Sequence, residues 1–186
     1  MRKRISFPIL LVLIICGISF TQQSGNSYPS PKAQAQCKFS DDGTIAVDYF
    51  RPSKGGRRIF GGLVPYGKVW RTDDKATTFA TDEDLVAVKG TNIPAGNYTI
   101  VMVPNPDKWT LIINKNTVYE SGELLRVPMA VKRLSAPVEN FTISFDQGGG
   151  SCMMRVSWEY TQASLEFAKR NTDVPLRRLD SVRPPK

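Results

Sequence analysis

The sequence predicts an all-β domain: an antiparallel β-sandwich of about nine or ten short strands, with a flattened β-barrel as the alternative. Three observations point there. Apolar and polar residues alternate over short runs, which is the period of a half-buried strand. The runs are separated by turn-forming clusters drawn from 13 Pro and 14 Gly, residues that pre-set φ or tolerate positive φ. No long stretch carries the 3.6-residue period of an amphipathic helix. A sheet with one buried face and no helices to cover it needs a second sheet.

The elements follow in order. Met1-Arg-Lys-Arg4 is a positive start, and 5–20 is almost wholly apolar. Sixteen residues at 1.5 Å each span roughly 24 Å, short of a ~30 Å hydrocarbon core. Residues 1–21 therefore read as a signal peptide, with cleavage near Thr21, and no transmembrane span is expected after processing. Cys16 follows Ile15 rather than a small residue, which argues against a lipid anchor and for a cysteine lost with the leader. Residues 22–33 read as a polar linker, and 34–168 as the β-sandwich domain. In 44–51, Ile45, Val47 and Tyr49 point one way and Ala46, Asp48 and Phe50 the other. Asp41-Asp42-Gly43 before it is a hairpin turn. Short strands are expected at 76–81 and 85–89. Pro94-Ala95-Gly96-Asn97 leads into a strand over 98–103, and Pro104-Asn105-Pro106-Asp107 turns back into 109–114. Runs at 124–134, 141–145, 152–160 and 163–167 supply the rest, with Gly148-Gly149-Gly150 as a turn. Residues 169–186 read as a basic, flexible tail.

Charge and composition narrow the function. The formal charge is +8. The leader's Arg2, Lys3 and Arg4 hold three of these charges. Residues 169–186, with six basic and two acidic side chains, hold four more. About +1 remains on the domain body, so nucleic acid is not an expected partner; the tail could meet an anionic envelope component by Coulomb attraction. The chain contains no histidine, which excludes a Ser-His-Asp triad, a Cys-His pair and any His-containing zinc site. No cofactor or metal is expected. Cys37 and Cys152 form an even pair in the processed chain, and in an oxidising compartment they would be joined as a disulfide.

One segment, 51–78, breaks the strand rhythm with basic residues, paired glycines, Tyr66 and Trp70. Long irregular connections on a sandwich either plug its open end or form a site. As a site, Arg51, Arg58 and Arg71 could converge on an anion, since a guanidinium fork matches carboxylate, sulfate or phosphate. Trp70 and Tyr66 could pack on a sugar ring, with Thr77 at the segment's end. As a plug, Ile59, Phe60, Leu63, Val64 and Trp70 would cap the core, with the arginines paired to Asp48, Asp73 or Asp74. Loop carboxylates Asp73, Asp74, Glu120 and Glu123 permit a hydrolase reading or calcium binding, but no spacing supports either. Asn97-Tyr98-Thr99 and Asn140-Phe141-Thr142 match the glycosylation sequon, and lie in or beside strands.

The run from Arg58 to Thr72 (RIFGGLVPYGKVWRT), followed by Ala76-Thr77-Thr78, resembles the signature of the bacterial DUF2911 family. So do Ile93-Pro-Ala-Gly-Asn-Tyr98, Lys108-Trp-Thr-Leu-Ile-Ile-Asn-Lys115 and Val138-Glu-Asn-Phe-Thr-Ile-Ser-Phe145. Together they cover roughly residues 30 to 168. The resemblance implies an exported β-rich domain and supplies no activity. Two departures stand out. Asp73-Asp74-Lys75 replaces a longer stretch with Gly, Asn and Glu, and residues 117–123 are brief and lack the family's Trp-Gly pair. A ligand site built from those elements would be altered here. The expectation is an exported protein, periplasmic or secreted, that binds a small anionic or carbohydrate ligand without catalysis. The alternative is an envelope interaction or assembly protein, using strand edges or the tail.

Overall fold

The computed structural model describes residues 30–71, 76–87, 90–115, 123–148 and 150–170. Nine strands form among them: β1 (Lys32–Lys38), β2 (Thr44–Phe50), β3 (Thr77–Thr81), β4 (Leu85–Ala87), β5 (Thr91–Ile93), β6 (Gly96–Val103), β7 (Lys108–Asn114), β8 (Glu123–Gly148) and β9 (Ser151–Lys169). All pair antiparallel in one sheet of order β1-β2-β3-β6-β7-β8-β9-β4-β5. The sheet is not closed into a barrel; β1 and β5 are its edges. Strand β1 begins at Lys32, inside the stretch read as linker.

The sheet folds over itself because β8 and β9 are too long to lie flat. At about 3.3 Å per residue, the 26 residues of β8 would span roughly 85 Å. A domain of this size has a radius of gyration of about 15 Å. The strand must bend, and its register shows where. Arg133 faces Thr161, and five residues on Val138 faces Glu159, only two positions back; Thr142 then faces Ser157. The extra residues on β8 are bulges, which bend a strand and sharpen its twist. Opposite them, Glu159 adopts φ 52°, a left-handed conformation that costs a non-glycine residue roughly 1–2 kcal/mol. Sequence patterning split each of these strands in two; the structure joins both halves through the bend.

Residues 123–130 of β8 stay beside β7, and folding over brings the later half of β8, with β9, β4 and β5, across the inner face of β1, β2, β3, β6 and β7. Ile45, Val47, Phe79, Ile100, Leu111 and Ile113 on the first layer share a core with Ile143, Met154, Val156, Leu165 and Phe167 on the second. The Phe79 and Phe167 rings meet at 5.3 Å. The Tyr49 hydroxyl crosses the layers to donate to the Ile143 carbonyl. Cys37 on β1 and Cys152 on β9 form a disulfide with Cα atoms 6.1 Å apart. Strands β3 and β4, consecutive in sequence, do not pair: β4 lies beside β5 and β9, so residues 82–84 carry the chain from one layer to the other. Lys169 bridges both Asp41 and Glu83, tying that crossover to the β1–β2 turn and the end of β9.

Among the described residues, no helix is long and apolar enough to cross a membrane.

Candidate functional site

Residues 51–71 run as an ordered cover over one end of the sandwich. Pro52, Ser53 and Lys54 continue alongside β8: Phe141 N–H donates to the Pro52 carbonyl and Lys54 N–H to the Glu139 carbonyl. The Glu139 carboxylate accepts from the Ser53 hydroxyl at 2.6 Å and from Gly55 N–H at 2.8 Å. The Ser53 hydroxyl, then the Gly55 amide, hold it below the usual carboxylate range. At the strained bend, Glu159 accepts from Ile59 N–H. Ile59, Phe60 and Val64 then drop into the core. Phe60 lies 4.8 Å from the Trp109 ring, and Trp70 stacks on Trp158 at 5.7 Å and meets Phe141 edge-on at 5.3 Å.

The glycine pair makes this turn feasible. Gly61 has φ 75°, and a Cβ on Gly62 would sit 2.5 Å from the Arg58 carbonyl oxygen. Only glycine tolerates both demands.

The structure divides the six residues that the sequence singles out as a ligand site. Arg51 and Trp70 meet at Phe141: Arg51 Nε donates to the Phe141 carbonyl and Nη2 to the Thr142 hydroxyl. Arg58 and Tyr66 flank Gly61 at the outer surface. Arg71 is exposed. Thr77 is buried on the inner side of β3. The plug reading of the segment accounts for Ile59, Phe60, Val64 and Trp70. It does not account for Leu63, which is 50% exposed, nor for Arg51, which binds a carbonyl and a hydroxyl instead of a carboxylate. Asp73, Asp74 and Glu120 lie outside the described residues. Glu123 opens β8. Among the described residues no group of three or more Cys, Asp or Glu side chains is placed to hold a metal ion.

A concave surface lies elsewhere, on the outer face of β1–β3. A cavity of about 670 Å³ is lined by Lys32, Gln34, Asp48, Phe50, Ala76 and Thr78, with the backbone between them. These residues alternate with the core-facing Ala33, Ala35, Val47, Tyr49, Thr77 and Phe79, so strand parity alone puts them outside. Register aligns them: Gln34 faces Asp48, Asp48 faces Thr78, Thr78 faces Thr99 and Thr99 faces Asn114. A polar row therefore crosses five strands. Within it, Gln36 Nε2 donates to Gln34 Oε1 at 2.6 Å, and Gln34 Nε2 donates to Asp48 Oδ1 at 2.9 Å. This amide relay fixes the carboxylate's orientation. At the far end Asn114 is 1% exposed, and among the described residues neither end of its amide has a hydrogen-bond partner. An unsatisfied buried group costs about 1–3 kcal/mol; Asn114 is not among the residues lining the cavity.

The sequence holds one signal for this row: Asp48 sits in mid-strand, where aspartate is depleted. Gln34 and Thr78 carry no such mark.

The family model for "Protein of unknown function (DUF2911)" matches residues 30–167. The chain belongs to the DUF2911 family. No curated protein and no solved structure matches it. The DUF2911 match begins two residues before β1 and ends two before the close of β9, so the whole folded sheet is the family's domain. Both the cover segment and the outer-face cavity fall inside it.

Proposed function

We propose that this DUF2911 protein is an exported, non-catalytic binding module whose ligand is sugar-like, and that it binds in the outer-face cavity of β1–β3. The carrying observation is the cavity itself, with an oriented carboxylate, an amide and a hydroxyl in register around it and an ammonium at Lys32, opposite Phe50. Its volume is within the ~300–1,000 Å³ range of small-molecule sites. A carboxylate held by an amide relay accepts from two neighbouring hydroxyls, and Lys32 and Gln34 donate to ring or hydroxyl oxygens. Alkyl and ring surface from Ala76 and Phe50 supplies the apolar wall that such sites need. A simple anion fits less well, because Asp48 would repel it.

Export is supported by the basic and apolar leader and by the Cys37–Cys152 disulfide, which persists in oxidising compartments. The absence of histidine supports binding over acid–base catalysis near neutral pH.

The test is a glycan array probed with the labelled full-length protein and with Asp48→Ala. Wild type should bind a restricted set of saccharides, and Asp48→Ala should weaken binding at least about tenfold, the equivalent of ~1.4 kcal/mol. An array with no specific binding, or binding that survives Asp48→Ala unchanged, would refute the site.

A further inference from the structure

The cover segment has an outward side that the core does not use. Among the described residues, the large apolar or aromatic side chains left exposed are Leu63, Tyr66 and Val69, at 50%, 40% and 55%. All three fall within seven consecutive residues. Single exposed apolar residues are ordinary on any protein surface, but a concentration of all of them in one turn marks a contact surface.

The same segment is the most basic part of the domain. Residues 51–71 contain Arg51, Lys54, Arg57, Arg58, Lys68 and Arg71 and no acidic residue. Glu139 and Glu159 lie against the inner side of the segment, at Ser53, Gly55 and Ile59, so its outward positive charge comes from the exposed Arg58 and Lys68.

The turn is also held rigid. Leu63 N–H and Gly62 N–H donate back to the Arg58 and Ile59 carbonyls, and Gly61 N–H to the Val64 carbonyl. Gly67 N–H donates to the Pro104 carbonyl, and Trp70 exchanges two backbone hydrogen bonds with Met102. Presenting Leu63, Tyr66 and Val69 therefore requires little ordering on contact.

We propose that this basic, apolar turn docks the protein onto an anionic lipid bilayer surface. Leu63 and Val69 enter the boundary between head groups and acyl chains. Tyr66 sits at the interface with its hydroxyl toward water, as amphipathic aromatic rings do. Arg58 and Lys68 pair with anionic head groups. Apolar side chains combined with basic ones are the recipe for interfacial binding, and juxtaposed basic charge supplies the attraction to anionic leaflets. A protein partner is the competing occupant. Arg58 and Lys68, exposed on either side of Leu63 and Tyr66 with no acidic residue between them in sequence, favour a uniformly anionic surface over a mixed protein one.

The experiment is hydrogen exchange with and without vesicles, using the protein expressed in full length and recovered as the cell processes it. The vesicles are phosphatidylcholine with about 30 mol% phosphatidylglycerol, an anionic fraction sufficient to attract basic segments. Protection should appear in residues 61–69. Co-sedimentation should fall about tenfold for Leu63→Ser/Val69→Ser, the consequence of withdrawing two apolar side chains from the bilayer. Arg58→Gln/Lys68→Gln should weaken it and flatten its salt dependence, since screening acts on the charges alone. A thermal melt checks that the variants stay folded. The proposal is overturned if the turn gains no protection. It is overturned equally if deleting residues 171–186 abolishes sedimentation while the turn variants do not. Turn-dependent crosslinking to an envelope protein with no vesicle binding would also overturn it, in favour of a protein partner.

Discussion

The cover segment and the outer face of β1–β3 adjoin in the chain at Phe50 and Arg51, yet they are built by opposite means. The cover is compositionally conspicuous, dense in Arg, Gly and aromatic residues, and two of its three aromatic residues are used inward. Trp70 and Phe60 lie against Trp158, Trp109 and Phe141. The outer face looks like ordinary strand, and its polar row emerges only when β1, β2, β3, β6 and β7 are laid in register. Unusual composition in a loop marked where the fold needed closing. The candidate ligand site came from alternation and pairing.

The sharpest way to probe this contrast is to loosen the frame both regions share. Cys37→Ser with Cys152→Ser opens a loop with a sequence separation of 115. The chain-entropy account assigns such a loop about 4–5 kcal/mol, and urea midpoints should fall accordingly. A loss well under 1 kcal/mol would show that β1 is held by packing alone. Phe60→Ala removes a buried ring between two tryptophans and should cost about 3 kcal/mol, readable in the same titration. Gln34→Ala, on the exposed row, should leave stability within about 0.5 kcal/mol. It should still weaken saccharide binding several-fold, because Asp48 loses the amide that orients it; unchanged affinity would detach the relay from the site.

The smallest effect concerns acid. Glu139, Asp82 and Asp41 all titrate below the ordinary carboxylate range, held there first by Ser53, by the Thr44 amide and by Lys169 respectively. A carboxylate with a lowered folded pKa adds stability above its unfolded value of about 4 and loses it as pH falls through the folded value. Melting temperature should therefore decline on acidification below about pH 4. Glu139→Gln should flatten that limb slightly. An acid limb unchanged in the variant would show that Glu139 does not grip the 53–55 turn. These groups are solvent-exposed, so the change is small.

Much of the fold was legible in the sequence, for a physical reason. Residues 44–50 alternate cleanly because one face of β2 is buried, and the Pro104–Asp107 turn closes the β6–β7 hairpin as its residue types require. The bent strands were not legible. Ser135, Ala136 and Pro137 look like a break between strands, and only the bulges opposite Glu159 reveal a continuous strand turning a corner. Nothing in Asp82-Glu83-Asp84 announces the crossing between layers that the pairing of β4 with β5 and β9 shows. The candidate site was not legible, since none of the six residues singled out in the sequence lines the cavity. Sequence reasoning reached Thr77, on the inner side of β3, while the cavity is lined by Thr78; a one-residue step changes the face of a strand. Which of two adjacent threonines faces out depends on Phe79 entering the core.

The cover segment has two sides, one holding the fold and one turned outward without structural duty. Paired thermal melts of Trp70→Ala and Leu63→Ser test this most directly. Trp70→Ala should lower Tm by roughly 10 °C, the equivalent of ~3 kcal/mol in a domain this size, and Leu63→Ser by less than about 2 °C. Equal losses from the two substitutions, or a larger loss from Leu63→Ser, would contradict it.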